Sequence, residues 1–248
     1  MTWPTTCQTG KFQSPIDLTD PASLLKEAGS NIVKPTYTTT NFDATFKNIG
    51  TTIQVDIPAA PAALTEGAAA AAPAAGEKGA APAPAAGAEG AASAGKQGYS
   101  TPNGTFFELK QFHFHTPSEH RKFGQMLPME MHMVHTSAAG EIAVVAVMFE
   151  FADAATVAAD TSRAFLTPIL AGLSAIKTTG TTTQLKNFNF AALAPMIAKS
   201  KEWVYSGSLT TPPCSEGVIF NILDDTMKIT SDEFLAFNSI IKFNSRLI

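Results

Sequence analysis

Charge and polar aromatics are what this chain has least of. Charged side chains make up 15% of its 248 residues, and there are only five histidines, three tyrosines, two tryptophans and two cysteines. The 17 basic residues are outnumbered by 21 acidic ones and form no run, giving a formal net charge of −4. That excludes nucleic-acid binding of the kind that rests on phosphate neutralisation. No apolar run reaches the ~20 residues that span a bilayer, so no transmembrane segment is expected. Met1 is followed by Thr-Trp-Pro, without the charged and apolar regions of a signal peptide. Either none is needed or this is a mature or trimmed form.

What the chain does have is 45% hydrophobic residues, enough for a substantial core. Its length suits one large domain or two small ones. Cys7 and Cys214 sit near opposite ends, a placement that fits two buried free thiols or one disulfide closing a very long loop. A bridge would point to an oxidising compartment. The Asn-x-Thr sequon Asn103-Gly104-Thr105 leans the same way.

One segment does not read as folded. From Ala59 to Gly98 the sequence is dominated by alanine, but Pro61, Pro73, Pro82, Pro84 and scattered glycines interrupt every candidate helical turn. With no apolar period to bury, it reads as a flexible insertion at about 59–98. Strand-like sequence resumes on both sides. Residues 45–57 alternate and are β-branched; 104–115, 129–136 and 141–151 read as three more strands, the last two joined at Ala138-Ala139-Gly140. Helical spacing marks 161–177, with a break expected near Pro168, and 231–240, with Ser231 or Asp232 as N-cap. The pattern predicts a mainly β, mostly antiparallel architecture.

Three of the five histidines fall in "QFHFHTPSEH", residues 111–120. Alternate strand residues share a face, so Gln111, His113 and His115 lie together, opposite Phe112 and Phe114. Glu130, His132 and Val134 form a second such set. If these strands pair, three imidazoles converge around an open fourth position, the ligand arrangement of a catalytic zinc site. An H-x-H pair on an amphipathic strand is more often two satisfied polar residues. Gln111 and Glu130, however, lie on the right faces to hold the far ring nitrogens, as metal-bound imidazoles require.

"FQSPIDL" (12–18), "FHFHTPSEH", "MEMHMVH" and "YSGSLTTPPCSEG" (205–217) together resemble the α-class carbonic anhydrases, in the family's order and spacing. The likeness runs from Trp3 to Arg246 and is broken only by the Ala/Pro insertion. It implies a single domain over residues 1–248 on a central twisted β-sheet of about ten strands with short peripheral helices. It also implies reversible hydration of CO2 to bicarbonate and a proton by zinc-bound hydroxide. His113, His115 and His132 match the zinc ligands, with Gln111 and Glu130 behind them. Thr210 matches the gatekeeper that donates to a buried carboxylate, here Glu119. Val134, Val144, Leu209, Thr211 and Phe220 match the substrate-side lining, Phe220 standing where many members carry tryptophan. His120 and His135 match internal structural positions.

The resemblance has departures. Many fast members carry a proton-shuttling histidine where Thr51 stands here, and all five histidines are otherwise matched. Turnover limited by proton export is therefore expected. Both ends are short for the family, and Leu247 replaces the usual proline. Cys7 and Cys214 fall where secreted members carry their single disulfide, which implies a secreted, periplasmic or organelle-lumen setting. Comparable low-complexity insertions occur in some algal members. The partners implied are CO2 and bicarbonate, with no nucleic acid, in a monomer or homodimer. Two other readings stand beside the enzyme: a carbonic-anhydrase-like binding or adhesion domain, and a passive scaffold for the Ala/Pro tether.

Overall fold

The computed structural model describes residues 3–19, 25–26, 33–37, 39–58 and 96–248. Short strands open the chain: β1 (Asp17–Leu18), β2 (Leu25–Lys26) and β3 (Lys34–Pro35). The hairpin β4 (Phe42–Asn48) and β5 (Ile53–Asp56) follows, then β6 (Gly98–Ser100) and the long β7 (Phe106–His115). After β8 (Arg121–Lys122) and β9 (Gln125–Met126) come the central β10 (Met129–Ser137) and β11 (Ile142–Phe151). The last are β12 (Thr182–Phe188), β13 (Glu202–Ser208), β14 (Glu216–Leu223) and β15 (Met227–Ile229). The helices are short: α1 (Thr6–Thr9), α2 (Ala154–Ala159), α3 (Arg163–Gly172), α4 (Ala194–Lys199) and α5 (Ser231–Ile241).

Among the described residues, twelve strands form one sheet: nine follow the path β12-β4-β5-β7-β10-β11-β14-β13-β2, while β15 pairs with β11, β6 with β7 and β3 with β6 off that path. Most neighbours are antiparallel, as the sequence pattern predicts. The sheet is nevertheless mixed, because β11 runs parallel to β14 and to β15. Both faces are covered. One carries the larger core, in which Phe112, Phe114, Met131, Met133 and Val147 pack with Phe165 and Ile169 of α3 and Phe237 of α5. The other carries a smaller cluster around Val144, Ala146, Trp203, Phe220 and Ile222.

A β-bulge in β7 explains how one strand serves both faces. Val134 pairs with Gln111 and His135 with Leu109, so Lys110 is the extra residue. Phe107 and Leu109 before it, and Phe112 and Phe114 after it, therefore all enter the larger core despite their opposite parity. The shifted phase turns Gln111, His113 and His115 to the other face.

Three boundaries differ from the sequence expectation. The insertion ends earlier: residues 59–95 lie outside the described residues, but Gln97 is buried and Gly98 already belongs to β6. Gly98 is required there, since a Cβ would stand 2.1 Å from the Phe107 carbonyl oxygen. Pro168 lies inside α3 and does not break it. The acceptor it leaves without a donor, the carbonyl of Ala164, belongs to an exposed residue, while Phe165, Leu166 and Ile169 anchor the buried face. The N-cap of α5 is Thr230, which forms a reciprocal capping box with Glu233.

Glu202 on β13 is a carboxyl only 6% exposed, and its Oε2 has no hydrogen-bond partner. Burial pushes its pKa from an ordinary 4.5 up to about 8. A raised folded-state pKa means that the stabilisation from this proton is complete below about pH 4.5 and is lost as pH rises through about 8. The loss amounts to roughly 5 kcal/mol at most. Glu202→Gln should therefore gain on the parent chain between pH 5 and 9, by up to roughly 10–20 °C in melting temperature at the full loss. A gap between the two that does not change with pH would contradict this.

Candidate metal centre

The register of β7 and β10 assembles the site. His132 pairs with His113, and Glu130 with His115, so the three imidazoles project from adjacent positions on one face. Ring centroids are 5.0 Å apart for His113–His115, 5.5 Å for His113–His132 and 4.6 Å for His115–His132. One nitrogen from each can be chosen such that all lie within 4.8 Å of one another.

Acceptors fix two of the rings. His113 Nδ1 is 2.8 Å from Gln111 Oε1, and His132 Nε2 is 2.8 Å from Glu130 Oε1, leaving Nε2 of His113 and Nδ1 of His132 clear of those partners. His115 is buried with both ring nitrogens lacking a hydrogen bond, although the Asn244 backbone stands close enough to raise its basicity. Burial holds the His115 pKa down at about 3 and, with the neighbouring imidazoles, holds His113 well below its usual value. Both are neutral at physiological pH and present lone pairs. Burial lowers His132 too, but the Glu130 and Glu119 carboxylates outweigh it and raise the net value. Glu130 is buried yet held well below the usual carboxylate range by His120 and His132.

This donor set fits a borderline-soft divalent cation. Zinc takes neutral imidazole nitrogens in tetrahedral sites, and its catalytic sites keep three protein ligands plus an open position. The orphaned nitrogens of buried His115 point the same way, because such groups are rarely left without a partner. A second grouping, His120–Glu130–His132, also brings ligand atoms within 4.8 Å. There the Glu130 oxygens are already taken: Oε2 by the Glu119 and His120 amides, Oε1 by both rings.

Glu119 is almost fully buried, accepts from the Arg246 amide at 2.9 Å and stands 3.4 Å from His115 Nδ1. Burial raises its pKa, with Thr210 among the groups pulling it back down, although Oε2 completes no hydrogen bond of ordinary geometry. Val144 and Phe220 are buried in the smaller apolar cluster, with Val134 and Leu209 packed against it. Thr211 is exposed, and its carbonyl accepts from the Cys214 amide. Cys7 and Cys214 are joined in a disulfide across 207 residues, tying α1 to the loop that carries Thr210. Thr51 is exposed in the β4–β5 turn, where its carbonyl accepts from Asn244 Nδ2.

His120 and His135 are buried structural groups. His120 bridges Glu130 Oε1 at 2.7 Å and the Tyr205 hydroxyl at 2.6 Å, and His135 meets the Tyr37 hydroxyl at 2.8 Å. Sequence reasoning missed the supporting roles of Tyr205, Asn244 and Arg246. The Asn244 side chain ties Thr51, Phe114 and Thr116 together. The Arg246 guanidinium holds the Cys7 and Ser14 carbonyls and lies 5.3 Å over the Trp3 ring. The Asn-x-Arg spacing was the one available signal.

A three-imidazole centre on the face of a large mixed β-sheet defines a class, and comparison with known proteins gives it a family. A sequence model of the eukaryotic-type carbonic anhydrases matches residues 90–247. The Photobacterium profundum alpha-carbonic anhydrase structure is 30% identical, with a TM-score of 0.70 over 98% of this chain and 87% of that one. Carbonic anhydrase Cah3 from Chlamydomonas reinhardtii is 26% identical, with a TM-score of 0.69 over 100% and 90%. A carbonic anhydrase of Klebsiella pneumoniae is 41% identical over 140 residues, covering 56% of this chain and 52% of that protein's length. The chain belongs to the alpha carbonic anhydrase family.

Proposed function

We propose that this chain is a zinc-dependent carbonic anhydrase that interconverts CO2 with bicarbonate and a proton. The observation that carries this reading is the trio His113, His115 and His132, with one nitrogen each within 4.8 Å, on two paired strands whose Gln111 and Glu130 fix the rings of His113 and His132. When bound there, zinc supplies the Lewis acidity that lowers the pKa of water from 15.7 to about 7, a figure established for carbonic anhydrases rather than derived from this geometry.

The chain's own residues do the rest. Thr210, by donating its hydroxyl proton toward Glu119, keeps lone pairs facing the reaction centre. It then accepts a hydrogen bond from the nucleophile and orients it. Glu119 is steadied for this by the Arg246 amide. Val134, Val144, Leu209 and Phe220 offer no hydrogen bonds, so they retain apolar CO2 loosely and favour release of charged bicarbonate. Thr211 lines the polar side. The complete imidazole trio with its Glu119–Thr210 pair weighs against a binding or adhesion domain. The disulfide supports an oxidising setting, whether secreted, periplasmic or lumenal. Residues 1–248 are read as one domain interrupted by the Ala/Pro segment.

Proton export is the weak step in this reading. Threonine at position 51 does not titrate near neutrality, and the task cannot fall to His120 or His135, whose rings are buried. Turnover in a stopped-flow CO2 hydration assay should rise several-fold with added imidazole. Thr51→His should raise turnover in weak buffer about 10-fold or more. Turnover indifferent to both changes would contradict proton-limited hydration.

A further inference from the structure

We propose that Asn103 is an acceptor for an N-linked oligosaccharide. The proposal rests on the oxidising-compartment reading above, since the donor is a lipid-linked oligosaccharide diphosphate found only on lumenal or external membrane faces. The catalytic reading does not use Asn103, and the sequon Asn103-Gly104-Thr105 is the only Asn-x-Ser/Thr triplet in the chain.

The local structure presents the triplet for modification. It lies on the turn between β6 and β7, where the Gly104 amide donates to the Thr101 carbonyl and the Thr101 amide to the Thr105 carbonyl. Gly104 takes a φ of +85°, a left-handed conformation that glycine adopts without strain, so the middle residue of the triplet also closes the turn. Asn103 is exposed. Its Oδ1 accepts from the Thr101 hydroxyl and from the Thr105 amide at 3.3 Å, which sets the amide plane. Its Nδ2 and the Thr105 hydroxyl make no hydrogen bond among those described. A glycan replaces one hydrogen on Nδ2 and leaves Oδ1 as an acceptor, so the turn keeps its bonds after modification.

Beside the turn is an open hollow of about 340 Å³, with Phe107 and Ile219 among its apolar lining and Glu141 and Thr105 among its polar one. That open space leaves room for the proximal sugar beside the turn. The turn adjoins the first residue of β7, whereas His113 lies near its far end. At ~3.3 Å per residue, more than 20 Å of strand separates the glycan from the metal centre. Modification therefore leaves the reaction path open.

The transfer balances simply. The Asn103 Nδ2–C1 glycosidic bond forms as the C1–O bond to the lipid diphosphate breaks. The amide nitrogen gives up one proton, and the lipid diphosphate departs with the bonding pair.

The test is secretion of the full chain, behind a cleavable leader, from a eukaryotic host with N-glycosylation, followed by intact mass and thiol titration of the protein in the medium. The expected result is a mass heavier by one oligosaccharide. Peptide N-glycosidase should remove it and leave aspartate at 103. Asn103→Gln and Thr105→Ala should secrete at the bare polypeptide mass, Thr105→Ser should restore the glycan, and all should hydrate CO2 as the parent does. The parent chain at its bare polypeptide mass would overturn the proposal. Free thiols in the same sample would count instead against the compartment reading, so the two failures are told apart.

Discussion

His132→Ala should bind zinc more than 100-fold more weakly than the parent chain and lose CO2 hydration in proportion. The size follows from dividing the roughly 10–16 kcal/mol of a tight protein–zinc site over its ligands, about 3 kcal/mol or more each. The fold should survive the change. Glu130 loses one partner at Oε1, but His120 still bonds it at 2.7 Å and the Glu119 and His120 amides still hold Oε2. The buried carboxylate thus stays ionised and paired, which distinguishes this variant from one that leaves a bare buried charge. Competition against a chelator of known affinity measures the loss directly, and a thermal melt of the zinc-free protein checks the fold. Parent-like affinity in the variant would mean that the metal lies elsewhere.

Removing the disulfide in a Cys7→Ser, Cys214→Ser double variant should have the largest effect on stability. The bond closes a loop with a sequence separation of 207, for which chain entropy predicts about 5 kcal/mol. At 2–4 °C per kcal/mol for a chain of this size, the melting temperature should fall by roughly 10–20 °C. The effect on turnover should be smaller. Arg246 still holds the Cys7 carbonyl, Gln13 Nε2 still reaches the Cys214 carbonyl at 3.2 Å, and Ser14 and Ser208 still exchange hydrogen bonds. The loop carrying Thr210 therefore keeps part of its tether. A melting temperature within about 2 °C of the parent would show that these contacts, not the covalent bond, hold the N-terminal segment.

The face that gathers the three imidazoles was legible because two local codes agreed. Period-two alternation in "QFHFH" and "MEMH" puts histidines and their acceptors on one side of each strand, and the same residues on the other side fill the core. What could not be read depends on distant partners. The bulge at Lys110 resets the phase of β7, and only its pairing with β10 reveals it. The parallel pairing of β11 with β14 is set by a connection of more than sixty residues, which carries no local signature. Asn244 acts partly through its backbone at His115, and a backbone atom leaves no trace in residue type. Thr230 was within reach, since Thr-x-x-Glu before an apolar run is a capping signal, but the adjacent Ser231 and Asp232 are equally good caps by composition. Pro168 reads as a breaker until the packing of α3 shows which carbonyl it leaves free.

The central claim is that His113, His115 and His132 together form one zinc site that carries out CO2 hydration. Its most direct test is a zinc titration of metal-free protein, with the CO2 hydration rate read at each addition. The account predicts a rate that rises in proportion to bound zinc and levels off at one zinc per chain. Zinc bound to that stoichiometry without hydration would contradict it.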